Sequence, residues 1–149
     1  MKIVHLAAAV LALVSAAGRA DAACTVSTTG ASFGTYDVFN SSVNASTGTI
    51  TYRCGNGDKD ILITLSRGSS STFTTRTLRN GTEVLQYNLY RDAAFSTIWG
   101  DGTSGTTTYT IRNPPNNQDV ILTVYGRVPA LQDVATGSYT DSLIVTINF

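Results

Sequence analysis

Few residues of this 149-residue chain could do chemistry, and their spacing limits what they could do. Asn56, Asp58 and Asp60 alternate as calcium ligands do. Counted as an EF-hand loop, however, the run puts Ile61 where a glycine must turn the chain and Arg67 where a glutamate must close the shell. The run reads instead as a hairpin turn with solvated carboxylates. Gly100-Asp101-Gly102-Thr103-Ser104-Gly105 has the glycine content of a phosphate cradle but lacks the Gly-Lys-Ser/Thr that completes one, so it reads as a loop without a ligand. The single histidine, His5, lies in the first apolar run, and outside that run there is no imidazole for Ser-His-Asp or Cys-His catalysis or for a histidine metal site. One glutamate, Glu83, and scattered aspartates do not make the paired carboxylates of a glycosidase. Tyr87, Tyr90 and Trp99 are the remaining candidates. Tyr90 and Trp99 either form a platform for stacking a ligand such as a sugar or, as favoured here, pack at the rim of the fold with Tyr87 in the core. No enzyme, metal or cofactor is expected.

The ten basic and ten acidic residues cancel, which argues against a nucleic-acid binder, since such proteins need a basic surface to displace counterions from phosphates. With 42% hydrophobic and 13% charged residues, the composition is that of a folded domain. Residues 1–22 read as a signal peptide: Lys2, an apolar run from Ile3 to Val14, then Ala20-Asp21-Ala22 as the small-x-small cleavage pattern. A run of about a dozen residues is too short to span roughly 30 Å of hydrocarbon. Asp21, three residues before Cys24, does not fit a lipoprotein signal. The expectation is export without a membrane anchor, with residues 23–149 forming one domain. In an exported chain two cysteines pair, and Cys24 with Cys54 would close a loop of about 30 residues.

These landmarks must be carried by strands, because no segment has apolar residues at helical spacing over a sufficient length. Period-two alternation marks Gly48 to Cys54, Asp60 to Ser66, Glu83 to Tyr90, Asp119 to Val128 and Ser138 to Phe149. Shorter strands are expected at Thr25-Val26-Ser27 and around Tyr109 and Ile111. Glycine, asparagine and proline clusters separate them, including Gly55-Asn56-Gly57-Asp58, Asn80-Gly81 and Asn113-Pro114-Pro115. About seven strands at this spacing predict an all-β fold, an immunoglobulin-like antiparallel β-sandwich. The last strand carries Leu143, Val145, Ile147 and Phe149 on one face, and no charged tail follows it to blunt an exposed edge.

Cys24-Thr25-Val26-Ser27, Phe33-Gly34-Thr35-Tyr36-Asp37 and Gly48-Thr49-Ile50-Thr51-Tyr52-Arg53-Cys54 resemble the opening of the spore coat protein U domain. Tyr87-Asn88-Leu89-Tyr90-Arg91-Asp92, Trp99-Gly100-Asp101-Gly102 and Tyr139-Thr140-Asp141-Ser142-Leu143 are similar to its middle and terminal blocks. The resemblance implies export through the periplasm by the archaic chaperone–usher route and assembly into a surface pilus or coat. It implies a sandwich lacking its last strand, with a periplasmic chaperone, an outer-membrane usher and neighbouring pilin subunits as partners. Leu143, Val145, Ile147 and Phe149 are then expected to contact the incoming strand. Shaft subunits of the family carry a donor segment ahead of the first cysteine. Cleavage after Ala22 leaves only Ala23 before Cys24, so the expectation is a tip or cap subunit, or a coat that is not a donor-strand fibre. The alternative to a structural subunit is a monomeric secreted carbohydrate-binding module using the loops around Trp99.

Overall fold

A computed structural model of the protein describes residues 24–149, and the expected signal peptide lies outside the described residues. Among the described residues eight strands fold into two antiparallel sheets: β1 (Thr25–Thr29), β2 (Asn44–Arg53), β3 (Asp60–Leu65), β4 (Arg76–Asn80), β5 (Glu83–Tyr90), β6 (Tyr109–Arg112), β7 (Asp119–Val128) and β8 (Val145–Asn148). One sheet has the order β1-β2-β7-β5-β4 and the other β6-β3-β8. This is the expected immunoglobulin-like sandwich, with β1 and β8 each at the edge of its sheet.

Alternation in the sequence becomes inward-facing layers. Ile50 and Tyr52 of β2 and Leu122 and Val124 of β7 pack against Ile61, Ile63 and Leu65 of β3, all buried. The β2–β7 ladder is the longest, ten residues from Asn44↔Val128 to Arg53↔Asp119, and forms the spine of the larger sheet. Cys54, at the end of β2, is buried and bonded to Cys24 just ahead of β1. On the chain-entropy account, closing a loop of this length stabilises the fold by roughly 3.5 kcal/mol.

Three elements differ from the sequence expectation. β4 is an added strand: it has one apolar residue, Leu78, between two arginines, so alternation does not mark it. Asn80 pairs with Glu83 across the two-residue turn Gly81-Thr82, with Gly81 at φ +59°, which is the glycine-first hairpin turn. β2 begins at Asn44, four residues earlier than its apolar run. β8 is confined to Val145–Asn148, because residues 138–143 are irregular except for a bridge from Thr140 to Arg79.

Trp99 corrects the expectation that it packs at the rim or offers a ligand platform. It is 1% exposed and is among the largest fully buried side chains. Its indole N–H donates to the Ile63 carbonyl at 3.2 Å, and its ring lies 5.8 Å from that of Tyr109. Tyr90 is half-buried and meets Phe95 edge-on, so the two rings form no shared platform. The reason is local. After β5, residues 92–98 turn back so that the Trp99 N–H bonds the Leu89 carbonyl, which carries the indole inward.

Candidate functional site

β8 is built to bond on both sides, and the described residues occupy only one. Leu65↔Val145 to Leu62↔Asn148 pair it with β3. The Ser66 N–H donates to the Ile144 carbonyl at 2.9 Å, which fixes the parity of that ladder. Ile144, Thr146 and Asn148 therefore turn their backbone groups toward β3, whereas Val145 and Ile147 turn theirs to the free edge. The same odd-numbered residues turn their side chains toward the core, and Leu143, Val145 and Ile147 pack against it only half-buried. Phe149, at the end of the row, is 58% exposed. The sequence expectation that Leu143, Val145, Ile147 and Phe149 form one apolar row holds for the first three as core-facing positions, and Phe149 stands outside the packing.

Across the gap lies β1, every residue of which is exposed. Between β1 and β8 an apolar seam of about 150 Å³ reaches the core, lined by Thr28, Ala31, Ile50, Leu65, Leu143 and Val145 among others. It is continuous with a wider cleft of about 990 Å³ between residues 30–39 and 134–141, since both are bounded by Gly30, Ala31, Phe33, Leu78 and Asp141. The link after β1 partly fills the far end. A Cβ on Gly126 would come within 2.7 Å of the Phe33 ring, so glycine there lets Phe33 sit on β7. From that seat Phe33 meets Tyr87 edge-on at 5.9 Å.

Asp141 and Tyr87 line the seam, and Arg76 lies deeper in the core. Asp141 accepts the Tyr87 hydroxyl at 2.7 Å on one oxygen and the backbone N–H groups of Ser69 and Ser142 on the other, both at 2.9 Å. Burial, reinforced by the hydrogen bond to Asp141, pushes the Tyr87 phenol well above the usual tyrosine range. Arg76 is 0% exposed and has no carboxylate partner among the described residues. Its guanidinium donates to the Ser66 carbonyl (3.1 and 2.9 Å), the Trp99 carbonyl (2.7 Å) and Asn88 Oδ1 (2.7 Å), and it stacks over Phe73. Burial lowers its basicity, opposed by the nearby Tyr87 phenol and Asp141 and Asp101 carboxylates. Asn88 in turn donates to the Phe73 and Thr74 carbonyls, so one buried pair ties β4, β5 and the loops after β3 and Trp99. Sequence reasoning missed Arg76, because an arginine beside Thr77 reads as surface.

Asn56, Asp58 and Asp60 do not gather into a cation shell. Asp58 lies 3.4 Å from Cys24 Sγ, but both sulfurs in that neighbourhood are committed to the disulfide, so the group lacks the free thiolates a metal would need.

The fold is shared with a chain in the crystal structure of the CsuC–CsuE chaperone–tip adhesion subunit pre-assembly complex, from archaic chaperone–usher Csu pili of Acinetobacter baumannii. The match has a TM-score of 0.58 at 16% identity and covers 86% of this chain but only 40% of that one. Protein U of Myxococcus xanthus is 35% identical over 130 residues, spanning 78% of this chain and 70% of that protein. The Spore Coat Protein U domain model matches residues 10–146, beginning inside the expected signal peptide and ending within β8. With that match covering nearly the whole chain, the protein belongs to the Spore Coat Protein U domain family.

Proposed function

We propose that this chain is a structural subunit of a surface pilus or coat whose sandwich is completed by an extended strand from another chain. The observation that carries this reading is the free edge of β8, where Val145 and Ile147 present unpaired backbone groups beside half-buried side chains. A single added strand satisfies both needs at once, by hydrogen bonding to β8 and by covering the seam toward β1. A partner that inserted only side chains would leave the backbone groups unpaired. Family membership supports assembly by the chaperone–usher route, with a periplasmic chaperone supplying the strand before a neighbouring subunit does. The leader read in residues 1–22 supports passage through the periplasm. The residues carry no catalytic role in this reading.

The test is recovery of the subunit bound to its periplasmic chaperone. Ile147→Asp places a carboxylate in the seam, where an unpaired buried charge costs several kcal/mol, and should abolish the complex. Thr146→Asp, on the exposed face of the same strand, should leave it intact. Normal complex formation by Ile147→Asp, or equal loss with Thr146→Asp, refutes the strand-acceptor reading.

A further inference from the structure

A second cleft, on another part of the surface, lies between the loop joining β3 to β4 and the loop after Trp99. It has a volume of about 420 Å³ and is lined by Arg67, Thr72, Phe73, Asp101, Thr103 and Ser104, together with Ser71 and Thr74. Both walls are held from within. Asp101 Oδ1 accepts the Thr103 N–H (2.9 Å) and hydroxyl (2.6 Å), and Thr106 donates through both N–H and hydroxyl to the Thr103 carbonyl. Ser104 is fixed at φ +52°, a conformation that loops keep where surrounding bonds over-determine it. On the facing wall Arg67 donates to the Ser71 carbonyl at 2.7 Å and lies over the Phe73 ring. Behind both, Arg76 bonds the carbonyls of Ser66 and Trp99, the residues from which the two walls spring, and so sets the width of the cleft.

The charges across this cleft do not meet. Among the described residues Arg67 and Asp101 form no ion pair. Asp101 keeps Oδ2 free of protein partners, and Arg67 keeps Nε and its second terminal nitrogen free. A carboxylate with an open oxygen accepts ligand hydroxyls, and an open guanidinium edge matches a ligand carboxylate as a two-pronged fork. Arg67 and Asp101 are the charged residues that line the cleft, one of each sign, so an anionic group docks on the arginine side and hydroxyls on the aspartate side. Hydrogen bonds from Thr103, through side chain and backbone, hold the Asp101 carboxyl below its usual range and keep it an acceptor.

We propose that this cleft binds a sugar unit of an acidic polysaccharide, with the sugar carboxylate on Arg67 and ring hydroxyls on Asp101. The volume suits one or two sugar rings, at the lower end of small-molecule sites. The site is separate from the seam and does not depend on how the subunit assembles.

The experiment is amide NMR of the exported chain, held by its chaperone where needed, titrated with a trisaccharide of galacturonate and with the neutral trisaccharide maltotriose. The acidic sugar should shift resonances of residues 71–74 and 101–104, and the neutral one should bind about tenfold more weakly. Arg67→Gln should erase that preference, and Asp101→Asn should weaken both sugars. Both side chains are exposed, so an unchanged spectrum elsewhere shows that each variant keeps its fold. Absence of shifts in the two loops, or acid binding unaltered by Arg67→Gln, overturns the site. Equal binding of the neutral sugar overturns its assignment to an acidic one.

Discussion

The core-facing row of β3 and the core-facing row of β8 lie side by side, use the same residue types and end in different states. Ile63 and Ile147 are direct cross-strand partners, yet Ile63 is 0% exposed and Ile147 is half-buried. The difference lies in the neighbours rather than in the residues. β3 has β6 on one side, β8 on the other and the larger sheet above it, whereas β8 has β3 alone. Apolar stabilisation scales with the area removed from water, so the same isoleucine gives less to the subunit on β8 and has more to gain from a further strand. The polar interior follows the same division. Arg76 and Asn88 are locked to each other inside the core between β4 and β5, while Asp141 and Tyr87 stand where the core meets the seam.

The largest expected break in this comparison is at Arg76. Arg76→Leu keeps an apolar side chain there but leaves the Ser66 and Trp99 carbonyls without their donors, and each buried polar group left unpaired costs about 1–3 kcal/mol. Relief of the desolvated cation offsets part of this, so the net loss should be about 3 kcal/mol, read as a lowered urea midpoint. An unchanged midpoint would mean that the finished half of the sandwich does not rely on this tie. The variant should also disturb residues 71–74 and 101–104 together, since Arg76 spans the roots of both loops.

Arg76 also marks where sequence reading stopped. The strands with clear alternation, such as Asp60 to Ser66 and Asp119 to Val128, were legible because each repeats its pattern on one buried face. β4 was not, because its inward residues are Arg76 and Leu78, and a charge at a core position inverts the pattern that signals a strand. Gly81, just before β5, was the available clue, since a glycine-led hairpin turn joins two strands and β5 is only one of them. Trp99 was misplaced for a related reason. It lies in an irregular segment with no period to declare a face, and its burial is set by the bond from its backbone to Leu89. The apolar row was read correctly for Leu143, Val145 and Ile147 but not for Phe149, and its half-buried state was not legible, because it depends on the strands beside it.

Tyr87 tests the boundary between the two regions through pH. Its phenol is held above the ordinary value near 10 in the folded chain, so below that pH both states keep the proton and the group adds no slope. Above it the unfolded chain releases the proton while buried Tyr87 retains it. The folded state then binds more protons, and stability should fall by about 1.4 kcal/mol per pH unit from this group. Tyr52, also raised by burial, adds its own decline. Tyr87→Phe should cost about 1 kcal/mol at neutral pH through the lost bond to Asp141 and should show a shallower decline above pH 10. Urea unfolding at pH 7 and across pH 10 to 11 reads both effects. Parallel declines would place Tyr87 in contact with water through the seam.

The smallest effect sharpens the comparison most, because it changes one methylene on each of two paired residues. Ile63→Val should destabilise the free subunit by about 1 kcal/mol, within the usual range for this change at a buried site. Ile147→Val should cost only a few tenths, because its side chain already borders water and the lost group leaves no sealed cavity. The proposed strand would seal that side. In a subunit complemented by a donor strand, whether the chaperone's or one fused to the chain, Ile147 becomes interior and its substitution should cost about as much as that of Ile63. The quantity to follow is the gap between the two variants in the free and complemented forms, measured by urea unfolding under one set of conditions. A gap of several tenths that closes on complementation identifies β8 as an interior strand awaiting its neighbour. A gap that persists would make β8 a true edge, and the half-burial of its apolar row its final state.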